Sequence, residues 1–343
     1  MLIKLYNKVF MVIISILTMS FMGCKGKIVE KVETFNNPIV AKSSADPWVV
    51  KAGGYYYYTY SDGSNIGIKK AKELQGIGQG EENIVWISDT STDYSKEVWA
   101  PELHYVSGRW YIYFAADDGK NENHRMYALE AGTDAENPLG ESYKLKGKVS
   151  DKTDKWAIDG TVLKVDKDSL YFVWSGWEGD KNGKQNLYIA AMSNPFTISG
   201  ERVLMSTPEY DWEKMGMPIN EGPQVLVKEK NIMIVYSASG SWTENYCLGL
   251  LVNNSKDILN SKSWIKKSQP VFKGTVENTS FGVGHASFVK SPSGKEDWIV
   301  YHGMTDGIGW QYRDIRTQKF TWDKNNLPLF GIPVSLEEDL QVP

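Results

Sequence analysis

The stretch “ADPWVVKAGGYYYYTYS”, residues 45–61, has the layout that decides the fold. Asp46 opens a short β-rich run, a tight “KAGG” turn follows, and the second run is almost wholly aromatic. β-branched and aromatic side chains favour strands, and glycine pairs favour tight turns. The stretch therefore predicts two antiparallel strands, the first of which begins at a carboxylate.

The same layout returns four more times along the chain. The later copies are “WAPELHYVSGRWYIYFAA” (99–116), “AIDGTVLKVDKDSLYFVWS” (157–175), “NEGPQVLVKEKNIMIVYS” (220–237) and “GHASFVKSPSGKEDWIVYH” (284–302). The leading polar residues of the five copies are Asp46, Glu102, Asp159, Glu221 and His285. The distances between successive leading residues are 56, 57, 62 and 64 residues.

Two weaker β-runs follow each pair of strands, and helical periodicity is almost absent. About four antiparallel strands in each of five units predict an all-β protein, a five-bladed β-propeller over residues 38–343. A β-sandwich would not place similar strand starts at near-constant spacing, and a β-helix has a much shorter period.

This topology brings the leading residues together. The innermost strand of each blade runs along the central channel, so residues that begin these strands converge at one end of it. Carboxylates crowded there raise one another's pKa, and stability alone gives little reason to collect them. We therefore expect Asp46, Asp159 and Glu221 to form a functional site. Pro47 is expected to bias the backbone of Asp46 toward an extended conformation.

The loops between the second and third strands lie on the same face as the carboxylates. Polar loops of this kind carry Trp177, Trp242 and Trp310, which are predicted to wall the site. Aromatic walls around carboxylates suit carbohydrate, although local packing between loops is the alternative for each tryptophan. The “YYYYTY” run lies in a second strand and predicts packing rather than sugar binding.

Residues 1–23 have the pattern of an export signal. An apolar run follows two lysines and has about the length of a signal-peptide core, which is short for a membrane span. It ends in “FMGC”, which resembles a bacterial lipobox and makes Cys24 the lipidated first residue of the mature protein; an ordinary secretory signal is the alternative. Residues 24–37 are predicted to be a tether. The protein is then periplasmic or at the cell surface, and it touches the membrane only through its lipid anchor.

The composition of the chain limits the classes of molecule that it is expected to bind. The 343 residues carry a formal net charge of −4, so no basic excess points to nucleic acid. The aromatic share is 13%, which suits both sheet packing and sugar platforms. Once Cys24 is set aside, Cys247 is the only cysteine and cannot form an intrachain disulfide.

Five motifs carry a resemblance to a known family. “ADPWV”, “WAPELH”, “AIDGT”, “NEGP” and “GVGHASFVKSPSGKEDWIVYH” occur in order at blade spacing, and together they resemble glycoside hydrolase family 43. The resemblance implies a five-bladed propeller that hydrolyses glycosidic bonds with inversion. It implies that Asp46 is the general base, that Glu221 is the general acid, and that Asp159 orients the acid and tunes its pKa. Inverting glycosidases hold the base and the acid roughly 6.5–9.5 Å apart, which leaves room for the attacking water.

The resemblance also implies further site residues. Arg316 is expected to face the sugar pocket, with Arg313 as the alternative, and Trp99 is expected to line it while Glu102 positions groups there. No cofactor is implied for the chemistry. His285 is expected to contribute to a structural calcium site in the channel, and a histidine hydrogen-bonded there without metal is the alternative.

The finer resemblance concerns the substrate. “AIDGT”, “NEGPQVL”, “YSASGSWTENYCLGLL” and “FTWDKNNLPLFGIP” are most similar to the α-L-arabinofuranosidase branch of the family. This implies exo-acting removal of terminal arabinofuranose from arabinan or arabinoxylan, so the partner is an arabinose-containing plant polysaccharide or oligosaccharide. β-Xylosidase and endo-arabinanase are the alternatives within the family. A non-catalytic carbohydrate-binding propeller is the alternative of another class, but it has no need to keep all three carboxylates.

Overall fold

The computed structural model describes residues 33–167 and 169–343. Within these ranges the chain has no α-helix, and a compact unit extends from Thr34 to Pro343. Five antiparallel sheets follow one another along the chain, which confirms the five-bladed β-propeller. The predicted signal peptide, Cys24 and most of the tether lie outside the described residues. None of the described helices is long and apolar enough to cross a membrane.

The strands follow the predicted order. β1 (Thr34–Phe35) precedes the first blade. Blade 1 contains β2 (Trp48–Ala52), β3 (Tyr55–Ser61), β4 (Asn65–Ala71) and β5 (Glu81–Ile87). Blade 2 contains β6 (Lys96–Val106), β7 (Arg109–Asp117), β8 (Arg125–Glu130) and β9 (Lys144–Val149). Blade 3 contains β10 (Ala157–Lys164), β11 (Leu170–Gly176), β12 (Asn186–Asn194), β13 (Thr197–Ile198) and β14 (Val203–Ser206).

The last two blades complete the ring. Blade 4 contains β15 (Asn220–Lys228), β16 (Asn231–Ala238), β17 (Cys247–Asn253), β18 (Ile265–Lys266) and β19 (Phe272–Lys273). Blade 5 contains β20 (Phe281–Lys290), β21 (Asp297–Met304), β22 (Asp314–Trp322) and β23 (Pro328–Leu329). β24 (Leu340–Gln341) pairs with β1. The described 3₁₀ helices are Leu74–Gln79, Asn121–Asn123, Asp211–Glu213, Ser261–Ser263 and Trp310–Tyr312.

Blades 3 and 4 differ from the others only at their outer edge. There β12 pairs with both β13 and β14, and β17 pairs with both β18 and β19. Each outer strand is thus split into two short pieces, so the prediction of about four strands per blade holds.

The core consists of five hydrophobic clusters, each between two neighbouring blades. The aromatic strand β3 shows how the sequence achieves this. Tyr56 and Tyr58 pack toward blade 5, whereas Tyr57 packs toward blade 2. Successive side chains of a strand point to opposite faces, so a strand sandwiched between two blades needs apolar side chains on both faces.

The N-terminal segment closes the ring against blade 5. The Ile39 N–H donates to the Ile315 carbonyl at 2.8 Å. The Asn37 amide exchanges two hydrogen bonds of 2.9 Å with the backbone of Thr317. Residues 34–37, predicted as the end of the tether, therefore belong to the folded unit, because they pair with blade 5 and β24.

Candidate active site

A pocket of about 640 Å³ opens where the inner strands begin. Its lining includes Asp46, which lies just before β2, Asp159 of β10, Glu221 of β15 and His285 of β20. The structure thus brings the three predicted carboxyl groups and His285 together from four blades. These residues are far apart in sequence, and only the closed ring places them in one site.

Every blade has a residue in the left-handed backbone region just before its inner strand or within the first five residues of it. These residues are Asp46 (φ 49°), Ala100 (φ 44°), Asp159 (φ 54°), Gly222 (φ 53°) and His285 (φ 45°). In blades 2 to 5 the strand register shifts at the same point, which marks a β-bulge. Bulges bend a strand and re-aim side chains, and a left-handed non-glycine residue costs about 1–3 kcal/mol. Because the φ of Asp46 is 49°, the expectation that Pro47 makes Asp46 extended is wrong.

Hydrogen bonds between blades hold three of these left-handed positions. The Asp46 N–H donates to His302 Nδ1 of blade 5 at 3.3 Å. The Gly222 N–H donates to Asp159 Oδ2 of blade 3 at 3.0 Å, and the His285 N–H donates to Ser237 Oγ of blade 4 at 2.8 Å. Each bond gives the backbone N–H a side-chain acceptor from another blade. Together they tie the starts of the inner strands to one another.

Asp46 has an environment that keeps its carboxylate charged. Its Oδ1 lies 3.2 Å from His285 Nδ1 and 3.4 Å from Arg313 Nη1, and a quarter of its side chain is exposed. Burial alone would raise the pKa of Asp46. The attraction of His285 and Arg313 outweighs that effect and holds the pKa well below its usual value.

Glu221 and Asp159 have the opposite environment. Burial raises the pKa of Glu221, and the charge of Asp46 raises it further, against a hydrogen bond from Tyr246 and the charge of Arg313. Burial also raises the pKa of Asp159; His285 opposes this effect, whereas repulsion from Glu221 and Asp46 adds to it. One carboxylate that stays charged beside a carboxyl group that keeps its proton is the arrangement of a base and an acid.

Three of the four predicted tryptophans line the pocket. Trp99 stacks on His124 with ring centroids 4.0 Å apart, and its Nε1–H donates to Glu97 Oε2 at 3.0 Å. Trp242 and Trp310 meet edge to face at 5.8 Å and are 37% and 56% exposed. They form an aromatic rim, while Trp99 is part of the pocket wall.

Trp177 does not line the pocket. Only 3% of it is exposed, and its ring lies parallel to that of Trp156 at a centroid distance of 4.6 Å. Trp156 faces the pocket instead, and its Nε1–H donates to the Asn121 carbonyl at 2.8 Å. Trp177 therefore lies behind the ring that faces the pocket.

Arg316 does not reach the pocket either. It is fully buried in β22, where its guanidinium binds the Asp314 carboxylate and the hydroxyls of Ser280 and Thr305. The pocket arginine is Arg313, which precedes β22 and contacts Asp46.

Glu102 lies two residues beyond the left-handed Ala100 and is buried away from the pocket lining. It accepts a hydrogen bond of 2.5 Å from Gln224 Nε2 and lies 2.8 Å from His104 Nε2. In blade 2 the bulge gives the pocket-facing place to Trp99. Glu102 therefore joins inner strands to one another instead of contacting a ligand.

The calcium site expected at His285 stays a prediction. Across residues 33–167 and 169–343, no group of three or more His, Cys, Asp or Glu side chains could hold a metal. His285 Nδ1 faces Asp46, and calcium prefers oxygen ligands. No step below uses a metal.

Sequence reasoning missed Trp156, Tyr246 and His302. Trp156 precedes its blade motif, and Tyr246 is one aromatic residue in an apolar run, so neither had a distinguishing signal. His302 had one, because the second strand of the other four repeats ends in serine or alanine and only the fifth ends in histidine.

The chain is similar to known proteins over most of its length. The family described as “Glycosyl hydrolases family 43” matches residues 35–328. The “Extracellular exo-alpha-(1->5)-L-arabinofuranosidase” of Streptomyces avermitilis is 38% identical over 313 residues, which are 88% of this chain and 64% of that protein. The “Alpha-L-arabinofuranosidase 43” of Humicola insolens is 35% identical over 336 residues, covering 95% of this chain and 69% of that one. The chain thus spans less than two thirds of the Streptomyces protein.

A solved structure agrees with these matches. The crystal structure of an α-L-arabinofuranosidase from Lactobacillus brevis superposes with a TM-score of 0.81 at 36% sequence identity. The alignment covers 89% of this chain and 98% of that one.

Proposed function

The chain belongs to glycosyl hydrolase family 43, and from this premise we propose that it is an inverting, exo-acting α-L-arabinofuranosidase. Its substrate is a terminal arabinofuranose on arabinan or arabinoxylan. One observation carries the proposal: Asp46, Asp159 and Glu221 meet in one aromatic-walled pocket, where the pKa of Asp46 is lowered and the pKa values of Asp159 and Glu221 are raised. The printed names of the relatives from Streptomyces, Humicola and Lactobacillus support the choice of sugar.

Asp46 acts as the general base. Its carboxylate takes a proton from a water molecule, whose oxygen attacks the anomeric carbon from the side opposite the leaving group. His285 and Arg313 leave the carboxylate ionised at neutral pH because their attraction lowers its pKa. The backbone bond to His302 fixes the direction of the side chain.

Glu221 acts as the general acid. It gives its proton to the glycosidic oxygen as the bond to the anomeric carbon breaks, so the leaving sugar departs as an alcohol. The turnover consumes one water and ends with Asp46 protonated and Glu221 ionised, and exchange with solvent restores both. Asp159 orients the acid, because it accepts the N–H of Gly222, the residue after Glu221, at 3.0 Å; the two carboxyl groups are coupled, and the charge of Glu221 raises the pKa of Asp159.

The test compares phenyl α-L-arabinofuranoside with phenyl β-D-xyloside. We expect turnover of the arabinofuranoside, and Asp46→Ala and Glu221→Ala each to lower it by about 10²- to 10⁴-fold with the fold intact. Glu178→Ala, which removes an exposed carboxylate paired with Lys184, is the matched control and should stay active. Near wild-type turnover in either site variant, or inactivity of the wild type on both glycosides, would overturn the proposal. Turnover of the xyloside alone would make the enzyme a β-xylosidase.

Export and anchoring are part of the same proposal. The relative from Streptomyces is named as extracellular, and “FMGC” before the folded unit supports lipidation of Cys24. Expression in a bacterial host should give a membrane-associated protein whose N-terminal peptide carries acyl chains by mass spectrometry. Cys24→Ser should release it, whereas a wild-type protein found only in the soluble fraction would contradict the anchor.

A further inference from the structure

Tyr246 immediately precedes β17 and is 1% exposed. Its O–H donates to Glu221 Oε1 at 2.8 Å, the one hydrogen bond to that carboxyl group within the described part of the chain. Its ring lies parallel to His302, with centroids 5.3 Å apart and an interplanar angle of 10°. On the backbone of Gly284, a Cβ atom would lie 2.4 Å from Tyr246 Cε1, so only glycine lets the ring approach this closely. The phenol is therefore held in one place.

The polarity of this hydrogen bond is fixed from behind. The His285 backbone N–H, which can only donate, gives its proton to Ser237 Oγ at 2.8 Å. Burial raises the pKa of Tyr246 well above its usual value, and the charges of Glu221, Asp46 and Asp159 raise it further, so the phenol keeps its proton; a hydrogen bond from the Ser237 side chain opposes these effects, which is the action of a donor. The phenol proton is then left for Glu221. The chain of donors runs from the His285 backbone through Ser237 and Tyr246 to Glu221 Oε1.

We propose, building on the glycosidase function above, that Tyr246 is a positioning residue that keeps the acidic proton of Glu221 on Oε2. Oε1 must accept the phenol hydrogen, so the proton that Glu221 gives to the leaving oxygen sits on the other oxygen. When that proton has gone, the same phenol stabilises the new carboxylate. Tyr246 thus makes Glu221 a stronger acid at the moment of transfer and keeps its protonated form in one geometry.

Other charged groups around Glu221 also affect its ionisation. Asp46 faces it from blade 1 and opposes ionisation, Asp159 from blade 3 is coupled to it, and Arg313 from blade 5 favours ionisation. Tyr246 also favours the ionised form of Glu221, but it does so through a hydrogen bond to one oxygen, whereas Asp46 and Arg313 act through their charge. Removing the phenol oxygen alone leaves all three charges in place.

The test is Tyr246→Phe, which keeps the ring on Gly284 and His302. The basic limb of the pH profile of kcat/KM reports the pKa of the general acid, Glu221. A hydrogen bond to the ionised form lowers that pKa, so its loss should move the limb upward by about one pH unit. The loss of kcat should be roughly tenfold larger for phenyl than for nitrophenyl α-L-arabinofuranoside, because the poorer leaving group depends more on proton donation.

Tyr111→Phe is the matched control, because it removes a phenol that donates to Glu130 at 2.7 Å in blade 2, outside the pocket lining. Its pH profile and leaving-group ratio should equal those of the wild type. A Tyr246→Phe enzyme with an unmoved limb and equal losses on both substrates would reduce Tyr246 to a packing role and overturn the inference. Inactivity of the wild type on both glycosides would instead overturn the glycosidase proposal.

Ser237→Ala is the second variant, for use if Tyr246→Phe does not fold. It removes the donor behind the phenol and should shift the limb in the same direction by less. An unmoved or lowered limb in a folded Ser237→Ala protein would equally contradict the inference.

Discussion

His302 lies fully buried in β21, and its Nδ1 accepts the backbone N–H of Asp46. Its Nε2 is buried without a hydrogen-bond partner among the described residues. Burial lowers the pKa of His302 to about 4; the charges of Arg313 and His285 add to this effect, whereas Asp46 opposes it. The folded protein therefore holds a neutral imidazole, and acid should favour the unfolded chain.

The size of this effect follows from the two pKa values. Between the unfolded value of 6.5 and the folded value of about 4, the unfolded chain binds a proton that the folded protein does not. The free energy of unfolding then falls as the pH falls through this window. Lowering the pH from about 7 to about 4 should cost about 3 kcal/mol from His302 alone.

The assay is urea unfolding of the wild type and of His302→Asn at several values across that range. Asparagine keeps an oxygen that can accept the Asp46 N–H but does not titrate. Contributions from the other acidic groups are common to both proteins, so the wild type should lose about 3 kcal/mol more than the variant. Equal losses in the two proteins would refute the view that His302 is a neutral buried acceptor.

Three further outcomes follow from the site. Asp159→Ala removes the acceptor of the Gly222 N–H, so kcat/KM should fall by about tenfold as Glu221 loses its fixed orientation; an unchanged kcat/KM would contradict this role. Trp310→Ala removes an exposed ring of the pocket rim, so it should raise KM for arabino-oligosaccharides by about three- to tenfold with kcat nearly unchanged. Trp177→Ala removes a buried ring, so it should lower the melting temperature instead. The reverse pattern would contradict the placement of the two tryptophans. Chelation with EDTA should leave kcat/KM unchanged, because the base and the acid are side chains whose charge states are set by burial and by neighbouring residues; a loss restored by calcium would contradict this.

Much of the fold and the centre of the site could be predicted from the sequence. Strand-forming runs and turn residues act locally, and five similar units leave few topologies open. The ring then dictates that the starts of the inner strands meet. For this reason Asp46, Asp159, Glu221 and His285 were expected at one end of the channel, and all four line the pocket.

The errors concern which of two neighbouring side chains faces the pocket. Spacing alone does not separate Arg316 from Arg313, and only the register of β22 places Arg316 between buried partners. Trp177 and Trp156 stack, so one ring necessarily covers the other. A bulge at Ala100 moves Glu102 out of line with the leading residues of the other blades.

The backbone of Asp46 shows a local preference losing to tertiary contacts. Pro47 favours an extended residue before it. Contacts with His302, His285 and Arg313 act on the same residue and come from two other strands and a loop of blade 5. They hold the left-handed conformation that a local rule does not foresee.

The central claim is that Asp46 and Glu221 act as a base and an acid on opposite sides of the anomeric carbon. The stereochemistry of the first product tests it most directly. Proton NMR during hydrolysis of phenyl α-L-arabinofuranoside should show β-arabinofuranose first, with the α-anomer growing in only by mutarotation. Initial release of the α-anomer would mean retention through a covalent intermediate and would contradict the assigned roles of both carboxyl groups.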